Sequence, residues 1–193
     1  MVFVKGNHAS PIYHVVKGNP VNKVYLDFQK AFDKAPHQRL LSKVSCHGIS
    51  GKVLSWIGNW LKDRKQRVGI NGQFTEWREV NSGVPQGSVL GPVLFNIFIN
   101  DLEKGVDSEV EKFAGGTKLL KIVKSKGDCE EQQKDLSKLG HWATKWQVKF
   151  NVDKSKVMHI GRHNANCAYK MMGSKLGLHE KEILESLWIV LCG

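Results

Sequence analysis

The segment Val24-Tyr25-Leu26-Asp27-Phe28 alternates apolar and polar side chains in the manner of a β-strand. Val24, Leu26 and Phe28 share one face of that strand, and Tyr25 and Asp27 share the other. Aspartate is depleted in strands, so its presence here calls for an explanation. Asp27 is therefore a candidate functional residue.

Length and charge bound the function classes. The chain has 193 residues, with 29 Lys and Arg against 18 Asp and Glu, for a formal net charge of +11. This length predicts one globular domain, or one domain with tails, that forms a core without a metal or a disulfide. The positive charge favours a polyanion such as nucleic acid as a partner. An ordinary basic protein with solvated lysines has the same composition.

The cysteines form no Cys-x-x-Cys pair, which excludes a zinc ribbon and a thioredoxin-type site and fits a reducing compartment. They are Cys46, Cys129, Cys167 and Cys192. His159, His163 and Cys167 offer three ligands without a fourth, so no zinc is predicted. No apolar run reaches the length of a signal peptide or a membrane span. We expect a soluble intracellular protein with no membrane partner, in the nucleus or the cytoplasm.

Outward from Asp27, the periodicity predicts an α+β domain with a mostly antiparallel sheet covered by helices on one face. Two helices, a hairpin, a deeply buried helix, a second hairpin, a helix and a strand follow the first strand, at residues 36–47, 50–61, 68–80, 90–102, 109–123, 129–146 and 148–160. The main domain covers residues 21–161, with less regular sequence on both sides.

Residues 62–67 carry four basic side chains and one acid. The basic residues are Lys62, Arg64, Lys65 and Arg67. This pattern is typical either of a solvated helix end or of a phosphate contact. Trp56 and Trp60, four residues apart on a predicted helix, are expected to pack against neighbours rather than to stack on bases.

Three motifs carry a family resemblance. VYLDFQKAFD at residues 24–33, SGVPQGSVLGP at 82–92 and FAGGTKL at 113–119 resemble, in order and spacing, motifs of the reverse transcriptases of non-LTR, LINE-type (jockey-like) retrotransposons. Residues 146–161 are similar to a fourth motif. The eleven residues of the second motif make the resemblance specific.

The resemblance implies a palm-like fold and a degenerate fragment of the family. Residues 1–20 would be a remnant of the fingers region, and residues 21–161 would be the palm-like domain. We expect truncated fingers, no thumb, and an irregular C-terminal tail at residues 162–193.

The resemblance also implies roles in catalysis. Asp27 matches the carboxylate that binds the catalytic magnesium ions, with the backbone carbonyl of Phe28 as a helper. Lys154 matches the lysine thought to protonate the pyrophosphate leaving group.

Other matched positions would bind nucleotide and nucleic acid. Phe32 matches the aromatic steric gate against the ribose 2′-hydroxyl, and Gln86 and Gly87 match the loop that shapes the nucleotide pocket and touches the template. The implied partners are an RNA template and a DNA primer, with the basic residues of 62–67 as further contacts.

One departure decides the expected activity. Gly115 and Gly116 occupy the positions of the family's Asp-Asp pair, so the magnesium site is incomplete. Two divalent ions held about 4 Å apart repel each other unless several anionic ligands hold them in place. We therefore expect RNA-directed DNA polymerase activity to be absent or vestigial. The alternatives are a noncatalytic, basic nucleic-acid-binding remnant and an unstable pseudogene product.

Overall fold

A computed structural model describes residues 18–113 and 115–179. These residues form two compact units. The sheet unit contains residues 18–28, 103–113, 115–143 and 149–179, and the helical unit contains residues 29–102 and 144–148. Residues 29–102 contribute a buried apolar set of their own, Leu40, Val44, Leu61, Leu94 and Phe98.

The elements in chain order are β1 Val21–Asp27, α1 Ala31–Lys34, α2 His37–Cys46, α3 Gly51–Leu61, β2 Lys65–Gln66, β3 Gly69–Ile70, β4 Gln73–Phe74, β5 Arg78–Glu79, α4 Leu90–Phe98, β6 Glu109–Phe113, β7 Gly116–Ile122, α5 Lys126–Trp146, β8 Lys156–Ile160, β9 Lys170–Met171, β10 Ser174–Lys175 and β11 Gly177–Leu178. None of the helices in this described part of the chain combines the length and apolarity that a bilayer span requires.

The sheet unit is built on a five-stranded sheet of order β11-β8-β1-β7-β6. Its neighbouring strands are antiparallel, except that β11 runs parallel to β8. The inward face of β1 is buried as its alternation predicts, with Val24 and Leu26 fully covered. Leu136 and Leu139 of α5 are also fully buried. The predicted α+β class with a mostly antiparallel sheet is confirmed.

In the helical unit, α2 packs against α3 and α4. Burial is one-sided in α4, where Leu94 and Phe98 are covered while Val93 is 49% exposed, so the prediction of a deeply buried helix holds for one face only. Trp56 is 58% exposed and stacks on Trp60, with 6.4 Å between ring centroids. Trp56 thus packs against its neighbour Trp60, as expected from their spacing, while more than half of its surface stays exposed on α3.

The segment after residue 161 is more ordered than the predicted irregular tail. It forms β9, β10 and β11, and it buries Tyr169, Met171 and Leu176. Tyr169 is held because its hydroxyl accepts a hydrogen bond from the Asn22 side-chain amide at 2.7 Å. Residues 180–193 of the predicted tail lie outside the described residues, as do residues 1–17 of the predicted fingers remnant.

A disulfide joins Cys129 of α5 to Cys167 in the segment before β9, with 6.2 Å between the Cα atoms. The sequence predicts no such bond, since the two cysteines stand 38 residues apart without a recognisable spacing. After α5, the chain forms β8, which pairs with β1. The segment that follows β8 then passes beside α5, where Cys167 meets Cys129.

Candidate catalytic site and nucleic-acid interface

The end of β1 faces the start of β7. Asp27 is the direct cross-strand partner of Gly116, and the backbone N–H of Phe28 donates to the carbonyl of Gly115 at 3.3 Å. Residues directly opposite in an antiparallel pair project from the same face, so a side chain at position 116 would lie beside Asp27. The structure thus brings together Asp27, Phe28 and the two glycines, and it leaves one carboxylate where the family motif has three.

The turn that carries Lys154 is tied to Asp27 through the backbone. The N–H of Asn151 donates to the carbonyl of Asp27 at 2.7 Å, and the Asn151 side-chain oxygen accepts from the N–H of Lys154 at 3.3 Å. The Lys154 side chain is exposed. The chain therefore reaches Lys154 one short turn after its contact with the strand that bears Asp27.

Phe28 is a core residue. Its ring is 4% exposed and stacks on Phe150 with 4.4 Å between centroids, and the ring of Trp142 lies 6.1 Å away. This follows from the alternation of β1, which directs Phe28 to the same inward face as Leu26. A role in binding nucleotide is left to the Phe28 backbone.

The other acids that the sequence offers are already engaged. The Asp33 carboxylate accepts from the Gln86 amide at 3.0 Å, and Asp101 forms an ion pair with the buried Lys43. Glu111 lies opposite Lys118 on the β6–β7 ladder, with 3.9 Å between the charged atoms. No group of three or more metal-ligating side chains occurs in residues 18–113 and 115–179. The donor set at the turn does not fit a pair of magnesium ions.

In the helical unit, the loop of residues 82–92 begins with a close backbone approach. The N–H of Gly83 donates to Ala35 at 2.7 Å, and the N–H of Val84 donates to the carbonyl of Phe32. A Cβ at Gly83, whose φ is +80°, would lie 2.3 Å from the Phe32 carbonyl oxygen. Only glycine fits this position without moving the backbone.

Two side chains fix the carbonyl of Gly83. The His37 ring nitrogen Nε2 donates to it at 2.9 Å, and the Arg64 guanidinium donates to it at 3.2 Å. Burial lowers the pKa of His37, and the nearby Arg64 charge lowers it further against the opposing effect of the hydrogen bond to Gly83. Burial therefore favours the neutral form of the imidazole. His37 was not singled out from the sequence, because nothing local marks a partner 46 residues away.

The predicted nucleotide-contact residues lie around this loop. The ring of Phe32 is half-exposed, 4.9 Å from that of Phe95. Gln86 is exposed and donates to Asp33. Gly87 is exposed with φ +81°, and a Cβ there would meet nothing within 4 Å. Gly87 thus differs from Gly83, where a Cβ would meet the backbone of Phe32.

The basic residues of the segment 62–67 differ in their exposure and contacts. Lys62, Lys65 and Arg67 are exposed. Arg64 is half-buried, donates to the carbonyls of Leu61 and Gly83, and has its pKa lowered by burial. Arg64 thus supports the loop through the carbonyl of Gly83, and its contact with nucleic acid stays a prediction.

Arg67 lies against two rings that no sequence motif singles out. Its guanidinium carbon is 4.0 Å from the centroid of Phe74 and 4.5 Å from that of Trp77. The interleaving of aromatic and basic residues across 64–78 was the available signal.

Residues 17–183 match the family described as "Reverse transcriptase (RNA-dependent DNA polymerase)". The chain is 33% identical over 169 residues to the RNA-directed DNA polymerase from mobile element jockey of Drosophila funebris, covering 82% of this chain and 18% of the relative. The Drosophila melanogaster jockey polymerase is 28% identical, with 81% and 18% covered. The chain thus spans less than a fifth of these relatives.

Solved structures agree in fold. Telomerase from Candida Tropicalis in complex with the TWJ fragment of telomeric RNA aligns with a TM-score of 0.58 and 12% identity, covering 84% of this chain and 29% of that one. Apo telomerase truncated from the C-terminal domain gives 0.56 and 12%, covering 87% and 36%. The palm-like fold and the retrotransposon resemblance predicted from the three motifs are confirmed. The chain belongs to the reverse transcriptase (RNA-dependent DNA polymerase) family.

Proposed function

We propose that this chain is the palm-like domain of a retrotransposon RNA-directed DNA polymerase that has lost catalysis and still binds nucleic acid. The observation that carries the proposal is Asp27 lying directly opposite Gly116. Two-metal phosphoryl transfer stabilises the attacking and leaving oxygens only when anionic ligands fix both ions. With Gly115 and Gly116 in the turn, Asp27 has no carboxylate neighbour there to share a cation.

The expected loss is large. One charge pair at about 4 Å is worth about 4 kcal/mol at an effective dielectric near 20. Each ~1.4 kcal/mol of lost transition-state stabilisation lowers the rate tenfold. Removing two metal-binding carboxylates therefore lowers the rate by several orders of magnitude, even after water ligands replace part of the interaction.

The remaining matched positions keep roles in binding. We assign Phe32 to the sugar-facing wall of a nucleotide pocket, and Gln86 and Gly87 to contact with the template. The exposed ammonium of Lys154 is assigned to the pyrophosphate group. These assignments follow the resemblance, and the half-exposed ring of Phe32 and the exposed positions of Gln86, Gly87 and Lys154 support them.

Primer extension tests the loss of catalysis. A labelled DNA primer annealed to an RNA template is incubated with the chain, nucleotides and Mg²⁺, beside an Asp27→Ala variant. We expect no product above the variant. Template-directed extension that depends on Asp27 would overturn the proposal.

Nucleic-acid binding is the retained function. Exposed Lys62 and Lys65, on a chain of net charge +11, support a contact with the phosphates of an RNA template or a DNA primer. Binding through phosphates weakens linearly in log-log form with salt, in proportion to the phosphates contacted. We expect such a slope for RNA. A flat salt response, or no binding at low salt, would remove this function.

The alternative of an unstable pseudogene product is disfavoured by packing. Both units hold fully buried apolar side chains, including Leu119 and Leu136 in one and Leu40 and Phe98 in the other. Such cores predict cooperative unfolding. A broad, noncooperative melting curve would support the pseudogene alternative instead.

A further inference from the structure

The ribbon between α3 and the loop at 82–92 contains a β-bulge. Gln66 pairs with Arg78, and Gly69 pairs with Phe74. Between these two pairs, one strand has two residues, 67 and 68, and the other has three, 75 to 77. An extra residue in one strand redirects the side chains near it and increases the local twist. The bulge falls opposite Arg67.

Three side chains gather at the bulge, and we call them the aromatic platform: Arg67, Phe74 and Trp77. The Arg67 guanidinium lies 4.0 Å from one ring centroid and 4.5 Å from the other. Gly69 makes room for this arrangement, because a Cβ there would lie 2.6 Å from the ring of Phe74. The ring therefore lies across the bare backbone of Gly69, on the side of the ribbon that faces Arg67.

The platform is assembled and yet open to solvent. Phe74 is 60% exposed and Trp77 is 57% exposed, so each residue presents more than half of its surface to solvent. The Arg67 guanidinium lies within cation–π distance of both rings. Solvent-exposed aromatic side chains beside a guanidinium plane offer a surface on which a flat, electron-rich ring stacks.

The net charge of the ribbon alone does not predict that it binds nucleic acid. Residues 62–79 contain five basic and three acidic side chains, so the local excess of positive charge is modest. Lys65 and Arg78 flank the platform on the paired strands β2 and β5, and both are exposed. Two exposed cations thus lie beside the planar side chains of the platform. This arrangement fits a single nucleic-acid strand whose phosphates contact the cations while its unpaired bases contact the rings.

We propose that the aromatic platform stacks unpaired bases of single-stranded RNA. The choice of RNA rests on the proposed function, and the stacking itself rests on the geometry of Arg67, Phe74 and Trp77. The proposal reassigns Arg67 from a phosphate contact, as its sequence predicts, to a part of a base-stacking surface.

The test uses the full chain and fluorescence anisotropy with an oligouridine strand of about 12 nucleotides, within the range of site sizes seen for stacking proteins. An abasic strand with the same number of phosphates is measured beside it. Phe74→Leu and Trp77→Leu keep apolar bulk and remove the aromatic ring. Each should weaken oligouridine binding by roughly 5- to 150-fold, the range measured for loss of one stacked base. Binding of the abasic strand should stay unchanged.

Three further variants distinguish base stacking from general exposure and from positive charge. Trp56→Leu is the matched control, because Trp56 is as exposed as Trp77 but lies on α3, and it should leave binding unchanged. Phe74→Tyr keeps the ring and should retain wild-type affinity. Arg67→Lys keeps the charge and loses the planar group, so it should weaken oligouridine binding and leave the salt slope unchanged.

Each failure has a separate meaning. If the wild-type chain binds neither strand, the retained nucleic-acid binding of the proposed function fails and the platform fails with it. If the chain binds RNA with a salt slope but Phe74→Leu, Trp77→Leu and Trp56→Leu all bind like wild type, the platform alone is wrong. A loss seen with oligothymidine and not with oligouridine would overturn the choice of RNA.

Discussion

Two glycine-bearing loops of this chain match their family motifs in opposite ways. The loop at residues 82–92 matches the motif throughout, and its Gly83 is enforced by the backbone of Phe32, which any Cβ would strike. The turn at Gly115 and Gly116 departs from the motif, yet Gly116 still pairs with Asp27 in an intact ladder. The difference teaches that a residue required by backbone packing and a residue required by chemistry are lost at different costs. Loss of the first would disturb the fold, whereas loss of the second leaves the ladder intact.

The largest expected effect is that of Gly83→Ala. Overpacking against the carbonyl of Phe32 and a φ of +80° together should lower the free energy of unfolding by about 2 to 5 kcal/mol. Urea denaturation of the chain measures it. Gly87→Ala is the control, since Gly87 has the same sign of φ but open space around it, and it should cost about 1 kcal/mol. Equal losses of unfolding free energy in the two variants would contradict the steric explanation for Gly83.

Reduction of the Cys129–Cys167 disulfide comes next. The two cysteines are 38 residues apart, and a crosslink over a loop of that length stabilises by about 2 to 4 kcal/mol. Cys167→Ser should therefore lower the unfolding free energy of the sheet unit. Amide hydrogen exchange should show faster opening in β8 and α5, while amides of α2 and α3 keep their protection. Uniform acceleration throughout the chain would show that the two units do not respond separately.

Gly116→Asp tests the turn directly and should have a smaller effect. The new carboxylate lies opposite Asp27, and like charges in a cross-strand pair destabilise by about 0.2 to 1 kcal/mol. Mn²⁺ should reverse this loss, because a cation shared by the two carboxylates relieves their repulsion. The double variant Gly116→Asp/Asp27→Asn should show neither the cost nor the rescue. A cost that persists in the double variant would mean that position 116 excludes side chains for steric reasons.

The smallest effect concerns pH and the half-buried His159. Its Nδ1 lies 2.8 Å from the Asn22 side-chain oxygen, its Nε2 is buried without a hydrogen-bond partner in the described part of the chain, and burial lowers its pKa below 6.5. The unfolded chain then binds a proton more readily, so the free energy of unfolding falls as pH drops below about 6.5 towards the folded pKa. His159→Gln should flatten this dependence. An unchanged pH dependence in His159→Gln would refute the assignment.

Local patterns predicted much of the fold. The alternation of β1 identified Asp27 and its inward neighbours, and Asn71-Gly72 predicted a hairpin that the structure forms with φ of 50° and 79° at these residues. Long-range partners left no local trace. In the sequence, Arg64 resembles the other surface cations, and only the fold shows that it donates to the carbonyl of Gly83. Likewise, nothing near Cys129 in the sequence indicates that it forms a disulfide with Cys167.

The candidate site shows the same limit. The motifs located Asp27, Gly115 and Gly116 in sequence, and their direct pairing across two strands required the register. The aromatic platform was missed because Arg67 meets Phe74 and Trp77 only through a bulge, whose position a hydrophobic pattern does not reveal.

The central claim is that the palm persists while its ion site is gone, and counting bound ions tests it most directly. Mn²⁺, as a paramagnetic substitute for Mg²⁺, is titrated into the wild-type chain and into Asp27→Ala, and free Mn²⁺ is followed by electron paramagnetic resonance. The account predicts weak binding that is the same in both proteins. Two ions per wild-type chain, lost in Asp27→Ala, would contradict it.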